Sequence, residues 1–243
     1  MNNNWYENWF GNEYLSVYAH RDEKEARELV QLILEYVNLD KKSKILDLCC
    51  GQGRHAFILS QEGYEVYGID LSKTLLQVAK YKNNQSDNTF FIQADMRRLP
   101  AVNSFDLLLN LFTSFGYFEE DAENKTVFEQ FHQVLKSGGY FVFDYFHTPY
   151  ILANLERYHS EQIGDLIVEQ ERFIKGSRVQ KIIRLNRKGK KSTFYESVKM
   201  YDKDKILEMM EETSLFVRHI FGDYAGSPLS RASERIIIIG QNE

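Results

Sequence analysis

Hydrophobic and polar positions change their period several times along the chain, and each change marks an element. After Asp22, a suitable helix N-cap, Ala26, Leu29, Val30, Ile33, Leu34 and Val37 recur at helical spacing. Short apolar runs then alternate with amphipathic stretches. Strands are predicted over residues 44–48, 65–70, 89–93, 105–111 and 140–145, and helices over 54–61, 72–82 (with Ser72 as cap) and 119–135. Strands alternating with helices imply a doubly wound α/β fold, a parallel sheet covered on both faces.

The pattern changes after Pro149. Residues 166–174, 178–185 and 193–200 read as strands, separated by turn signals at Lys175-Gly176-Ser177 and Arg187-Lys188-Gly189-Lys190. An antiparallel meander is expected, packed over the parallel sheet because three strands have little core of their own. A helix over 203–213 and strands over 215–221 and 235–240 follow. The last run, Arg235-Ile-Ile-Ile-Ile-Gly240, is apolar on both faces and belongs inside the sheet. The expected organisation is a main domain of residues 1–149 and 201–243, with a helical lid over about the first 40, and an insert over 150–200.

Composition narrows the class. A chain of 243 residues, 43% hydrophobic and 27% charged, can bury one substantial core. No run approaches the roughly 20 apolar residues of a membrane span. The opening MNNNWYENWF has neither the basic nor the apolar region of a secretory signal, so a cytoplasmic protein is expected. The two cysteines, Cys49 and Cys50, are adjacent, read as small packing residues, and no His or Cys pattern suggests a metal. Net charge is −5, yet residues 172–191 hold nine Lys or Arg and no acid. That stretch reads first as solvated hairpin surface and second as a patch for a polyanion.

Chemistry concentrates at the first strand. Gly51 and Gly53 sit between a strand and a helix, where glycine allows a tight turn and close approach of a ligand to the backbone. Asp70 ends the second strand, where a carboxylate can accept both hydroxyls of a ribose. Gly51-Gln-Gly53-Arg-His-Ala56 also fits the looser dinucleotide pattern, so two cofactor classes stay open on the loop alone. Asp47 favours a ligand bearing an ammonium over a pyrophosphate, although it could instead satisfy nearby backbone N–H groups. Asp95, after the third strand, can accept from an adenine amino group.

With these residues in place the chain resembles the class I S-adenosylmethionine-dependent methyltransferases. ILDLCCGQGRH resembles their first motif, YGIDLS the ribose motif, QADMRRLP the adenine-side motif, FDLLLNLFTSFGYF the fourth-strand motif and LKSGGYFVFDYF the fifth strand. The resemblance implies a seven-stranded, mostly parallel sheet whose last strand is antiparallel beside the fifth. It also implies S-adenosyl-L-methionine as cofactor. Gly51 and Gly53 would meet its methionyl part, Asp70 and Leu71 the ribose, Asp95 and Met96 the adenine, and the Asn110–Leu111 backbone the amino group. In layout the chain is most similar to aminosugar and glycine N-methyltransferases, whose N-terminal segment folds over the cofactor. Here that segment is aromatic and includes Tyr18 and Arg21. Arg21 or Arg54 would pair with the cofactor carboxylate.

The acceptor is expected to be a small-molecule amine or hydroxyl, on a monomer or homodimer. The candidate catalytic residues are Tyr117 and, second, His147, with Asp223 and Tyr224 in the loop after the sixth strand. An RNA methyltransferase using the basic stretch is the runner-up. A nicotinamide oxidoreductase and a non-catalytic cofactor-binding protein are the rivals from other classes.

Overall fold

A computed structural model describes residues 4–18, 23–83 and 87–243. Two short helices, α1 (Trp5–Trp9) and α2 (Asn12–Val17), precede α3 (Glu23–Tyr36). Then follow β1 (Lys44–Leu48), α4 (Arg54–Gln61), β2 (Glu65–Asp70), α5 (Lys73–Lys82), β3 (Thr89–Gln93) and β4 (Phe105–Asn110). Next come α6 (Asp121–Val134), β5 (Leu135–Phe146) and α7 (Thr148–Asn154). The chain continues through β6 (Tyr158–Ile163), β7 (Leu166–Lys175), β8 (Arg178–Arg187) and β9 (Lys190–Lys199), and ends with α8 (Lys203–Glu211), β10 (Leu215–Phe221) and β11 (Arg235–Asn242).

Seven strands form one sheet in the order β10-β11-β5-β4-β1-β2-β3. Strands β1 to β5 pair in parallel, and β11 runs antiparallel between β5 and β10. The expected α/β sheet, with its apolar last strand inside, is what forms. The reason is visible in alternate residues. Ile45, Leu107, Leu109, Val142, Ile237 and Ile239 pack with Leu29, Ile33 and Leu59 on one face. Leu46, Leu108, Phe141, Phe143 and Ile238 pack with Phe115, Phe128 and Phe131 on the other. A sheet covered on both sides needs apolar residues at successive positions. Strand order reverses between β1 and β4, so a crevice opens at their carboxyl ends.

The insert departs from the expected three strands. β6 to β9 make a four-stranded antiparallel sheet. β6, with the sequence YHSEQI, is an edge strand alternating between half-buried and exposed positions, so it carries almost no apolar signal. Arg178 docks this sheet on the rest. Its guanidinium donates to the carbonyls of Phe118 at 2.9 Å, Tyr117 at 3.0 Å and Gly116 at 3.2 Å. Lys199 N donates to Gly116 O at 2.7 Å, and the Tyr145 hydroxyl donates to Lys199 O. At the other end of the chain Trp5, Tyr6 and Trp9 of α1 are buried, with rings against Tyr117, Phe118 and Phe194. No helix among the described residues is long and apolar enough to cross a membrane.

Candidate active site

The crevice is a cavity of about 420 Å³, in the size range of small-ligand pockets. Its floor comes from the strand ends: Asp47 to Gly51, Ile69 to Leu71, Ala94 to Met96 and Leu111 to Ser114 all line it. Its roof comes from the N-terminal segment, with Trp5, Tyr6, Phe10, Tyr14 and Tyr18, and from the insert. Three non-glycine residues of the floor, Cys49, Phe112 and Thr113, hold φ between 57° and 63°. L-residues rarely adopt this left-handed region, and such strain gathers at functional sites. After β4 the strained turn is clamped from β5: Phe112 N donates to the Asp144 carboxylate at 2.9 Å and Thr113 N to Asp144 O at 2.9 Å.

Each acid on the floor has its own environment. Asp47, in β1, is 2% exposed, and its Oδ2 meets no hydrogen-bond donor among the described residues. Burial, assisted by the nearby Asp70 charge, pushes its carboxyl up to about 7. Asp70 accepts from Gly51 N at 2.8 Å and Ser72 N at 2.7 Å, so it ties the glycine loop to the cap of α5. Its carboxyl is also raised, by burial, against the pull of those backbone bonds. Asp95 is gripped by Arg97 through Nε at 3.1 Å and Nη2 at 2.7 Å. Burial works against its charge, but the Arg97 hydrogen bonds and charge prevail and hold its carboxyl below the ordinary value.

The two loop glycines differ. A Cβ on Gly51 would meet only Leu75 Cδ1, at 3.9 Å, so its φ of +56° leaves open space on the cavity side. Gly53 does not line the cavity; at φ +81° its missing Cβ makes room for the Phe91 ring, 2.8 Å away. The expected ligand contact at Gly53 gives way to a packing role. Arg54, Leu71 and Met96 line the cavity as expected, with the Arg54 guanidinium 4.4 Å from the centre of the Phe112 ring. Leu111 lines it too. Asn110 does not: it is fully buried behind the wall, its amide donating to Ser114 O at 3.2 Å. Arg21 and the cap residue Asp22 lie outside the described residues.

Of the residues expected to act in catalysis, Tyr117 lines the cavity, stacked with Tyr6 and Phe10. Burial pushes its phenol well above the ordinary value, so it stays protonated and can orient a partner but not take a proton. His147 does not reach the cavity; as the residue before α7 it is buried, with Nδ1 3.0 Å from Ser233 O. Asp223 does not line it either, and Tyr224 donates instead to Asp144 at 2.9 Å. Tyr18 does line it, and its hydroxyl sits 3.0 Å from Lys181 Nζ and 3.3 Å from Glu196.

Several lining residues escaped the sequence: Arg172, Gln180, Lys181, Glu196 and Arg235. The basic stretch is therefore not one solvated surface. Arg172 and Lys181 face the cavity, and Arg178 is buried under the loop after β4. Register brings them there, and register cannot be read from strand composition. Arg235 was legible only as the one charge heading an apolar strand; half-buried, it pairs with the fully buried Asp144 at 2.6 Å.

Residues 39–214 match the family described as "Methyltransferase domain". The chain belongs to this methyltransferase family. Its fold is that of the S-adenosylmethionine-dependent class I enzymes. A methyltransferase of Bacillus subtilis is 34% identical over 119 residues, 49% of this chain and 48% of the relative. The chain thus spans about half the length of the curated relatives it matches. The structure of an S-adenosylmethionine-dependent methyltransferase from Clostridium acetobutylicum superposes with a TM-score of 0.82 at 21% identity, covering 95% of this chain and 98% of the other. An amino pentose methyltransferase from Micromonospora echinaspora, solved with S-adenosylmethionine bound, superposes with a TM-score of 0.71 at 14% identity, covering 96% and 97%. At these identities the likeness is one of fold. The residues of this methyltransferase domain fit the cofactor on their own evidence, because the buried Asp47 carboxylate has an oxygen in need of a donor and the cofactor brings an ammonium.

Proposed function

We propose that the protein transfers a methyl group from S-adenosylmethionine to an amine or hydroxyl of a small molecule. The observation that carries this is one cavity lined both by Asp47, Asp70 and Asp95 at the strand ends and by Lys181, Gln180 and Glu196 of the insert. Donor and acceptor can meet only where those two walls face each other. The roof of N-terminal aromatics and insert strands suits a compact acceptor better than a polymer. The inward turn of Arg172, Arg178 and Lys181 leaves less of the basic stretch to a nucleic acid.

In this reading Asp47 takes the cofactor ammonium, Arg54 its carboxylate, the Gly51 backbone its methionyl chain, Asp70 the ribose hydroxyls, and Asp95 with Met96 the adenine. The bound cofactor supplies an already activated methyl group. The chain then has three tasks: to align the acceptor, to exclude water and to keep a lone pair free. Trp5, Tyr6, Phe10 and Tyr117 exclude water. Tyr117, held protonated, orients the acceptor as a hydrogen-bond donor. The test is a screen of amine and hydroxyl metabolites for S-adenosylhomocysteine release. Turnover of at least one such compound is expected. Turnover of RNA alone, or none across both groups with the cofactor bound, would remove this reading.

A further inference from the structure

The insert wall carries an arrangement that methyl transfer as such does not require. Arg172 of β7 lies directly across from Lys181 of β8, and Lys181 directly across from Glu196 of β9. Residues paired in this way project from the same face of a sheet, and like charges directly opposite one another are destabilising. All three line the cavity. Glu196 answers only one of the two cations, with Lys181 Nζ at 2.7 Å. The other carboxylate near Arg172 is Glu156, at 3.2 Å, which is exposed and outside the cavity lining. Gln180, beside Lys181 in β8, is buried and lines the cavity from the opposite face of the strand. Its Nε2 is 3.3 Å from Ser197 Oγ, while its Oε1 has no partner among the described residues. Val179, Val198, Ile151 and Leu155 supply apolar surface around these groups.

Two cations therefore face the cavity with only one of their carboxylate partners, Glu196, facing it beside them, and an anion entering the cavity would balance the row. We propose that the acceptor carries an anionic group, a carboxylate or a phosphate, seated on Arg172 and Lys181, with its apolar part on Val179 and Val198. This rests on reading the insert side of the cavity as the acceptor side. Arg172 can offer a planar fork to either anion and Lys181 a point charge, so the pair sets specificity and takes no part in the chemical step.

The test titrates phenylacetate, phenyl phosphate and neutral 2-phenylacetamide into the protein saturated with S-adenosylhomocysteine, by calorimetry. At least one anion is expected to bind about tenfold more tightly than the amide, less so at high salt. The tighter of the two anions distinguishes the carboxylate source from the phosphate source. Arg172→Gln and Lys181→Gln should each weaken the anion about tenfold and leave the amide unchanged. Should Lys181→Gln fail to fold, Arg172→Gln alone decides, because its carboxylate partner is exposed and the side chain is dispensable to the core. Equal binding of amide and anions, no binding of either anion, or anion binding untouched by Arg172→Gln overturns the proposal. S-adenosylhomocysteine affinity is measured beside it. If that were absent, the methyl-transfer reading would fall, and the anion preference would still be read on the protein alone.

Discussion

At the scale of single residues, Asp47 carries the sharpest prediction. Its carboxyl lies at about 7 in the folded chain, well above its ordinary value of 3.8. Between these values the folded form holds a proton that the unfolded form has lost. Its contribution therefore falls as pH rises from about 4 to about 7 and is level above that. Asp47→Asn removes the penalty, so the melting temperature of the ligand-free variant should exceed that of the parent at about pH 8 and converge with it near pH 4. The same substitution removes the partner of the cofactor ammonium. Calorimetry should show affinity for S-adenosylmethionine lowered about 10- to 100-fold, and parent binding that releases protons near neutrality. Unchanged affinity would take the ammonium from Asp47. The two glycines supply a contrast. Gly53→Ala should cost about 2–4 kcal/mol in chemical denaturation, since its Cβ meets Phe91 as well as the left-handed backbone. Gly51→Ala should cost only about 1–2 kcal/mol, the backbone term alone, and act mainly on cofactor affinity.

At the scale of elements, the docking of the insert hangs on Arg178. Arg178→Met keeps most of the side chain's length but leaves the carbonyls of Gly116, Tyr117 and Phe118 without their guanidinium donor. The expected loss is about 2–4 kcal/mol, with faster amide exchange in β8 and β9 than in β1 and β4. Uniform exchange across both sheets would show that the insert does not depend on this contact. The same element marks how far the sequence could be read. The parallel sheet was legible because each strand is bounded by its own neighbours: Asp70, Gly51 and the Ser72 cap follow from strand, turn and helix signals a few residues apart. Ile236 to Ile239 announced a central strand because both faces are apolar. The edge strand β6 was not legible, having no apolar side. Nor was the Arg172, Lys181 and Glu196 row, because pairing depends on registers that no local signal states. The side chain of His147 turns away from the cavity toward Ser233 O, a choice made by packing and not by its place in the chain, while at Asn110 the expectation was of the backbone and the side chain is spent on Ser114 O. The strain at Cys49, Phe112 and Thr113 had no sequence signal, since these residue types ordinarily avoid that backbone.

At the scale of the whole molecule, the roof made from α1, α2 and the residues beside them bounds the cavity through which ligands exchange, and it is pinned to the insert. Trp9 Nε1 donates to Glu196 at 2.7 Å, the Tyr18 hydroxyl reaches the same carboxylate, and the Phe10 carbonyl accepts from Ser72 on the floor. The chain has two tryptophans, Trp5 and Trp9, and both sit in α1. Intrinsic fluorescence therefore reports this roof with no label. Adding S-adenosylhomocysteine should shift the emission of both parent and Glu196→Ala, because Trp5 lines the cavity. In stopped-flow displacement, Glu196→Ala should release the ligand several-fold faster, since the variant loses the Trp9 and Tyr18 bonds to Glu196 and keeps the Tyr18 contact with Lys181 between roof and insert. Glu196→Gln keeps an acceptor for Trp9 and should fall between the two. Lys181 complicates the comparison, because removing Glu196 also leaves its charge beside that of Arg172. Salt separates the two effects: the electrostatic part is screened at high ionic strength, while the loss of the Trp9 hydrogen bond is not. A release rate that still exceeds the parent's in about 1 M salt would assign the gating to the roof contact. A rate that returns to the parent's would assign it to the cation row, and would make acceptor recognition and cofactor retention properties of the same three side chains.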